Sequence, residues 1–367
     1  MQGSARIWRH FDVWLLAAVT LLTIAGVALI QTAIAGNIEL GVYPSRQATY
    51  AVIGMAALLI VAAIDYRLWS ALSRPIYVII VILLLGILTA GLARFGAARW
   101  FQIGTLFIQP GELAKLMMIL VLANYLARHQ HEINQFKTVL RSLLLVSVPA
   151  VMIFLQPDLD TTIIIGVTWL ALTWAAGIQI KHIGALVGVG LVSPLLAWPV
   201  LQPYQKSRII QFFFPDPNAP FGDTYNVNQA LIAIGSGGWF GEGYGAGTQT
   251  QLRFLKVRHN DFIFSVLSEE FGFVGALIAL ALLIFVIYRC LRAARLARDT
   301  YGALICYGVA TLLLLQVAFN VGMNLNLIPV SGLTLPFLSY GGSSLLVNLV
   351  GIGLVESIIL RQKRIEF

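Results

Sequence analysis

Asp261 stands between two rings, His259 and Phe262, in the stretch "RFLKVRHNDFIFSVLSEEFG", residues Arg253 to Gly272. It lies at the mouth of a long apolar run. A carboxylate there, beside His259 and several cations, can take a proton from a hydroxyl or hold a divalent ion against a diphosphate. The competing role is a helix N-cap, in which the carboxylate accepts backbone N–H bonds. Glu112 and Lys115 form a second pair, three residues apart in a run opened by Pro110-Gly111. That spacing puts them on one helical face, with Glu112 near the positive end of the helix dipole and Pro110 suited to the first helical position. Charges inside an apolar boundary are costly unless they face a cavity or each other, so each is a functional candidate, with a structural ion pair as the alternative. Asp158 in "QPDLD" adds a third polar point. Glu269 and Glu270 lie roughly 12 to 13.5 Å beyond Asp261 along a helix, too deep to be idle surface charges.

Apolar helices must position these groups. The 367 residues are 59% hydrophobic and 11% charged, with mean hydropathy +0.84, which sets the chain apart from ordinary soluble domains and marks a polytopic membrane protein. About 20 apolar residues cross a bilayer as a helix. Ten segments qualify: 13–35, 47–64, 75–93, 110–127, 142–155, 161–178, 183–201, 262–288, 302–325 and 343–360. The expected fold is therefore an all-α membrane domain spanning residues 1–367, with ten transmembrane helices, one long extracytoplasmic loop at about 202–261 and a short re-entrant loop. The first segment follows Arg6 and Arg9 and ends in Ala33-Ile34-Ala35, as a signal peptide would, but its apolar stretch is longer than such a segment usually runs and reads as an uncleaved helix.

Ten spans leave both termini on one side. With the N-terminus in the cytoplasm, fifteen of the 24 Lys and Arg residues fall inside, and every inner link carries at least one, in keeping with the positive-inside rule. The net charge of +8 is thus accounted for by orientation in a bilayer and gives no support to nucleic-acid binding. Cys290 and Cys306 lie in or beside apolar segments and offer neither a disulfide framework nor metal-ligand spacing.

The other nine cations, Arg46, Arg94, Arg99, Lys115, Lys206, Arg208, Arg253, Lys256 and Arg258, fall on the outer face, where insertion gives them no role. Acidic residues gather there too, including Glu39, Asp158, Asp160, Asp216, Asp223 and Glu242. In the long loop, "YQKSRIIQFFFPDPNAPFGDTYN" mixes cations with aromatic and proline residues, as expected of a segment on the headgroup surface that brings Lys206 and Arg208 to lipid phosphates. Seven glycines then occur between Gly235 and Gly247, allowing tight turns and close approach of backbone N–H groups to a ligand. Gly241, Gly243 and Ala246 imitate a dinucleotide fingerprint, but no strand or βαβ unit surrounds them, so no nucleotide site is expected. A second glycine-rich segment, "LPFLSYGGSS", re-enters the apolar zone, and non-helical backbone at such depth is tolerated when buried in protein or lining a wet cavity. Together these features describe a polar pocket open to the outside.

"RWFQIGTLFIQPGELAK" (99–115), "QPDLDTT" (156–162), "NQALIAIGSGGWFGEGYGAGTQTQL" (228–252), "RHNDFIFSVLSEEFG" (258–272) and "LPFLSYGGSS" (335–344) resemble the SEDS family (shape, elongation, division and sporulation) over nearly the whole chain. Its members are ten-helix membrane glycosyltransferases that polymerise peptidoglycan from lipid II. The spacing of the Tyr204–Gly238 stretch and the "GTQTQL" run resemble the elongation member, RodA, more than the division member, FtsW. The sequence departs from the family pattern at Gly111 (usually serine), Asp160 (usually glycine), Lys256-Val257 (commonly Pro-Glu) and Asn260 (commonly threonine).

The resemblance implies that Asp261 deprotonates the 4-hydroxyl of the acceptor GlcNAc, which attacks the donor MurNAc anomeric carbon and inverts it to a β-1,4 link. The leaving group is undecaprenyl diphosphate, so one carboxylate suffices where a glycosidase needs two. Lys115, Arg46 and Arg208 are candidates to stabilise the diphosphate, helped by Mg²⁺ or Mn²⁺ held by Asp261 and the phosphates themselves. Arg99, Glu112, Asp158, Gln249 and His259 match motif positions and shape the pocket; Lys206 joins Arg208 on the loop. No nucleotide is needed. The implied partner is a class B penicillin-binding protein docking through its single membrane helix, and the implied location is the bacterial cytoplasmic membrane with the site outside. Two rival functions are a lipid II flippase, for which Glu269, Glu270, Asn320, Asn324 and Asn326 would line a path, and a non-enzymatic scaffold of the cell-wall machinery.

Overall fold

The computed structural model describes residues 10–34, 37, 40–90, 92–94, 97–103, 106–179, 181, 184, 188, 198–216, 221–255 and 258–362, with side chains omitted at 90, 92–94, 97–99, 103 and 106. Helices dominate. α1 (Val13–Ala33), α2 (Tyr43–Ala63), a short α3 (Arg67–Ala71) and α4 (Ser73–Ala90) lead to β1 (Leu92–Arg94), β2 (Ala97–Ile103) and β3 (Leu106–Ile108). Then follow α5 (Pro110–Arg128), α6 (Phe136–Leu155), α7 (Leu159–Ala175), α8 (Pro203–Phe213), α9 (Asp223–Ser236), α10 (Thr248–Gln251), α11 (Ile263–Leu296), α12 (Thr300–Asn324) and α13 (Gly342–Leu360).

Seven of these, α1, α2, α5, α6, α11, α12 and α13, are long and apolar enough to cross a membrane; α4 and α7 are shorter apolar helices. Nine of the ten segments expected from hydropathy thus coincide with a helix, and the tenth, 183–201, lies largely outside the described residues. The all-α expectation needs one correction. β1, β2 and β3 form an antiparallel sheet in sequence order, with Arg94 opposite Ala97 and Phe101 opposite Ile108. Its strands are three to seven residues long and carry Trp100, Phe101, Ile103, Phe107 and Ile108, residue types that favour a pleated surface. A hydropathy window sees only their apolarity.

The core is set by α13 and α5, whose apolar windows are 89% and 78% buried, against 33% for α2 and α6. α13 packs along α2, and α12 bridges α5 and α11. The segment from Leu333 to Ser339 is non-helical yet buried, with Leu335, Phe337 and Leu338 at 2% exposure or less. Its backbone is satisfied by protein: Gln47 Nε2 donates to Ser339 O at 3.1 Å, and Gln47 Oε1 accepts from Gly341 N at 3.3 Å. This is the condition under which irregular backbone survives within an apolar bundle.

α11 is two helices joined by a break at Gly272, where φ is 67° and ψ is −168°. The break frees the carbonyls of Glu269 and Glu270 and the N–H groups of Phe273 and Val274. All four are taken by one loop: Glu242 N and Gly243 N donate to the carbonyls at 2.9 and 3.0 Å, and Gly238 O and Trp239 O accept from the N–H groups at 2.8 and 3.1 Å. A Cβ on Gly272 would lie 2.4 Å from Gly241 N, and one on Gly241 would lie 2.2 Å from Glu270 O, so side chains are excluded from both. The glycine run, expected to bring backbone N–H groups to a ligand, thus gives two of them, at Glu242 and Gly243, to α11, docking about 13.5 Å along that helix from its start.

Candidate active site

Asp261 lies in the turn before α11. The helix starts at Ile263, its N-cap is Phe262, and that cap makes no side-chain bond. The N-cap reading of Asp261 is therefore replaced by a different arrangement, in which the main chain is held and the carboxylate is not. The Asp261 carbonyl accepts from Asn320 Nδ2 and Asn324 Nδ2, both at 3.0 Å. Ser339 Oγ donates to Asn260 O at 2.7 Å and Tyr340 N to His259 O at 2.9 Å. Asp261 Oδ1 is buried and, among the described residues, has no hydrogen-bond partner.

Three elements bring charges to this carboxylate: Arg208 from α8, Asp160 from α7 and Asp223 from α9. Arg208 lies 3.8 Å from Asp160 and 3.5 Å from Asp223, with its guanidinium 5.7 Å from the Tyr204 ring. Asp160 also accepts from Gly332 N at 2.9 Å. Burial pushes the Asp261 carboxyl up to about 7; Arg208 opposes that rise, and Asp160 and Asp223 add to it. A carboxylate near 7 is matched to general-base work at neutral pH. A cavity of about 170 Å³ lies against Arg208 and Asp223, lined also by Phe212, Asn228, Asn326 and Val330, and Asp261 is not part of its lining. That is smaller than a typical ligand pocket, so it takes only a fragment of a large substrate.

His259 packs edge-on to Tyr43 at 5.3 Å, and Tyr43 stacks on Tyr340 at 4.3 Å. Burial, with Arg258 nearby, pushes its imidazole down to about 4, so it is neutral at pH 7 and offers no cation to a phosphate. Arg258 is buried, with Nε and Nη1 donating to the main-chain oxygens of Ala33 and Leu255 and Nη2 without a partner among the described residues. Arg46 lies 6.0 Å from the Phe107 ring at the N-terminal end of α2. Lys206 is half-buried on α8 and forms no ion pair among the described residues.

Glu112, Lys115, Asp158 and Gln249 are not among the groups whose charges act on Asp261. Lys115 Nζ donates to Glu112 Oε1 at 2.7 Å, with Lys115 2% exposed and Glu112 8%. The second Glu112 oxygen is buried without a partner among the described residues. Asp158 caps α7, accepting from Thr161 N at 3.2 Å and from Gln109 Nε2 at 3.1 Å, which ties the start of α5 to the start of α7. Gln249 sits on α10, where Glu269 accepts from Gln249 N at 2.6 Å and from Thr250 Oγ1 at 2.5 Å. Among the described residues the buried side-chain oxygen of Gln249 has no hydrogen-bond partner, and it does not join the group of charges around Asp261. The Arg99 side chain and Lys256 lie outside the described residues, as does Glu39.

Asp160 and Asp223 were legible only as outer acidic residues, and Asn320 and Asn324 only as polar residues in an apolar helix; none was marked as part of the site. The spacing of Asn320 and Asn324, one helical turn apart, was the available signal. Among the described residues no three His, Cys, Asp or Glu side chains converge as a metal-binding set. Asp261, with one oxygen unpartnered, fits Mg²⁺ or Mn²⁺ as a single carboxylate ligand, provided water and substrate phosphate supply the rest.

Fold and site together define a polytopic membrane protein that holds the main chain around Asp261 by hydrogen bonds and leaves its buried Oδ1, among the described residues, without a hydrogen-bond partner. Residues 8–364 match the FtsW, RodA and SpoVE family of cell cycle proteins, and the chain belongs to that family. Over 368 residues it is 35% identical to a probable peptidoglycan glycosyltransferase FtsW of Thioalkalivibrio sulfidiphilus, covering 96% of this chain and 90% of that one. Over 358 residues it is 35% identical to the peptidoglycan glycosyltransferase MrdB of Escherichia coli, covering 97% and 95%. Among solved structures it is similar to RodA of Thermus thermophilus, with TM-score 0.72, 29% identity and coverage of 96% and 98%. It also matches a chain of a peptidoglycan synthase complex solved for its coordination of polymerization and crosslinking, with TM-score 0.82, 29% identity and coverage of 95% and 97%.

Proposed function

We propose that this protein is a peptidoglycan glycosyltransferase that polymerises lipid II into β-1,4-linked glycan, with Asp261 as the general base. The observation that carries the chemical assignment is the free Asp261 oxygen on a main chain fixed by four hydrogen bonds. The base takes the proton of the acceptor 4-hydroxyl as that oxygen attacks the donor anomeric carbon. The bond to undecaprenyl diphosphate breaks, and the pair of electrons leaves with the diphosphate.

Arg208 is the cation best placed to meet the diphosphate, since it stands in the same group of charges as Asp261 and is partly exposed. Its two carboxylate partners hold it in place until a phosphate competes for the guanidinium fork. Arg46 and Lys206 would extend this cationic face, and Lys115 would reach the site only by leaving Glu112. A divalent ion, held by Asp261 with the phosphates, would neutralise part of the diphosphate charge when bound.

The site faces the extracytoplasmic side in this reading, with ten spans, both termini in the cytoplasm and residues 202–261 as the long outer segment. A class B penicillin-binding protein is the partner that would crosslink the product, and the likeness to a chain of a synthase complex supports it. An elongation rather than a division role rests on the RodA-like motifs. Of the five residues of the transport reading, Glu269, Asn320 and Asn324 are engaged in bonds that hold α10 and the Asp261 turn, which weakens it, while Glu270 keeps both oxygens without a hydrogen-bond partner among the described residues and Asn326 lines the cavity. The protein reconstituted in vesicles with fluorescent lipid II, with and without Mn²⁺, tests the assignment. Glycan strands of increasing length support it, whereas translocation of lipid II without polymer would replace it with the flippase.

A further inference from the structure

We propose that Asn320 and Asn324 are positioning residues for Asp261, setting the aim of its carboxylate through its main-chain carbonyl; this rests on the reading of Asp261 as the base. Both amides are fully buried on one face of α12, a helical turn apart. Each spends both of its N–H groups. Asn320 Nδ2 donates to Asp261 O at 3.0 Å and to Leu333 O at 2.8 Å. Asn324 Nδ2 donates to Asp261 O at 3.0 Å and to Asn320 O at 2.8 Å. Asn324 Oδ1 in turn accepts from Ser265 Oγ at 2.6 Å, in the first turn of the helix that Asp261 precedes.

The geometry differs from ordinary helix-to-helix packing in one respect. Two amide donors converge on a single carbonyl, filling both of its lone pairs, and that carbonyl belongs to the residue whose Oδ1 has no hydrogen-bond partner among the described residues. A buried carbonyl at a chain turn needs one donor to be satisfied. Two donors from fixed positions on one helix also fix its direction, and with it the plane from which the Asp261 side chain departs. Asn320 extends the hold to Leu333, so the turn before α11 and the irregular segment after α12 are gripped by the same side chain. Neither asparagine is placed to touch substrate; each acts through Asp261.

The test is steady-state polymerisation of lipid II by the purified full-length protein carrying Asn320→Leu, Asn324→Leu, both together, or Asn324→Asp, with Asp261→Asn in parallel. Asn324→Asp keeps an acceptor for Ser265 and removes the donor to Asp261. Each single variant is expected to lower kcat about 10-fold to 100-fold with KM unchanged within twofold, as a small misplacement of a reacting group does. Because they share one acceptor, the double variant should add no more than about threefold to the worse single variant.

The acid limb of the leucine variants' pH profile should also move toward the ordinary carboxylate range. The groups facing Asp261 are Arg208, Asp160 and Asp223 from α8, α7 and α9, with His259 and Arg258 in its own turn, and all remain in place in these variants. A merely architectural role would scale the whole profile by the fraction of folded enzyme and leave its shape alone. A profile of unchanged shape, or full activity in Asn324→Asp, would overturn the proposal. If Asp261→Asn still polymerises, the base assignment itself fails; if Asp261→Asn is inactive while the asparagine variants behave as the parent, only the positioning role fails.

Discussion

The Lys115 ammonium lies 2.7 Å from Glu112 Oε1 inside the bundle, and the other Glu112 oxygen has no partner among the described residues. Removing one member of such a buried pair leaves an uncompensated charge, which costs about 3–5 kcal/mol. Lys115→Met is therefore expected to lower the thermal midpoint in detergent sharply, and the double variant Glu112→Gln with Lys115→Met to recover most of it. If Lys115 also serves the donor diphosphate, the recovered double variant stays inactive. Full polymerisation by that variant would confine the pair to architecture.

The pH dependence of kcat/KM follows from the environment of Asp261. Its carboxyl is raised to about 7 by burial, and a general base works only when ionised, so activity should fall as pH drops below about 7. Arg208 holds the value down and Asp223 holds it up. Arg208→Gln should move the acid limb to higher pH and lower the plateau by roughly 10²-fold, the usual loss when one charge-stabilising donor is removed. Asp223→Asn should move the limb to lower pH. Rate profiles from pH 5 to 9 for the three proteins check the order, and an acid limb near 4 in the parent would contradict the burial of this group.

Gly272 is expected to tolerate no side chain. Its φ of 67° is unfavourable for other residues, and a Cβ would press on Gly241 N. Gly272→Ala must either distort the break in α11 or expel the loop that satisfies it, orphaning up to four main-chain groups. A loss of about 2 kcal/mol or more is expected, read as a lower melting temperature and as proteolytic cutting within residues 237–247. Ala at Gly166, inside α7, where nothing beyond its own helix lies within 4 Å of the added carbon among the described residues, is the control and should neither lower the melting temperature nor expose residues 237–247 to cutting.

Much of this architecture was legible from hydropathy, because a bilayer-length apolar run has few alternatives to a helix. Pro110 opened α5 as its position suggested, and Asp261 stood out as a charge where charges are expensive. The break at Gly272 was not legible, since it is created by a loop thirty residues earlier whose partners are main-chain atoms with no side-chain signature. The same holds for Asn320 and Asn324. One turn apart on an apolar helix, they read equally well as a transport path, and only the fold shows that their common object is the Asp261 carbonyl. Asp158, expected to shape the pocket, is engaged as the cap of α7, a role its place before Leu159 did not single out in the sequence. The sheet at residues 92–108 was missed because strands of three to seven residues give no clear alternation between two apolar helices.

The most direct measurement is glycan-strand formation from lipid II by purified Asp261→Asn protein, made beside its melting curve at pH 5 and pH 8. The folded protein raises the Asp261 carboxyl above its ordinary value of 3.8, so the ionised group opposes folding. That penalty is complete above about pH 7, shrinks as pH falls toward 3.8, and is absent below it. The neutral amide should therefore melt a few degrees higher than the parent at pH 8, gain less at pH 5, and make no polymer at either pH. Polymerisation at or near the parental rate by this variant would show that the carboxylate is not the base.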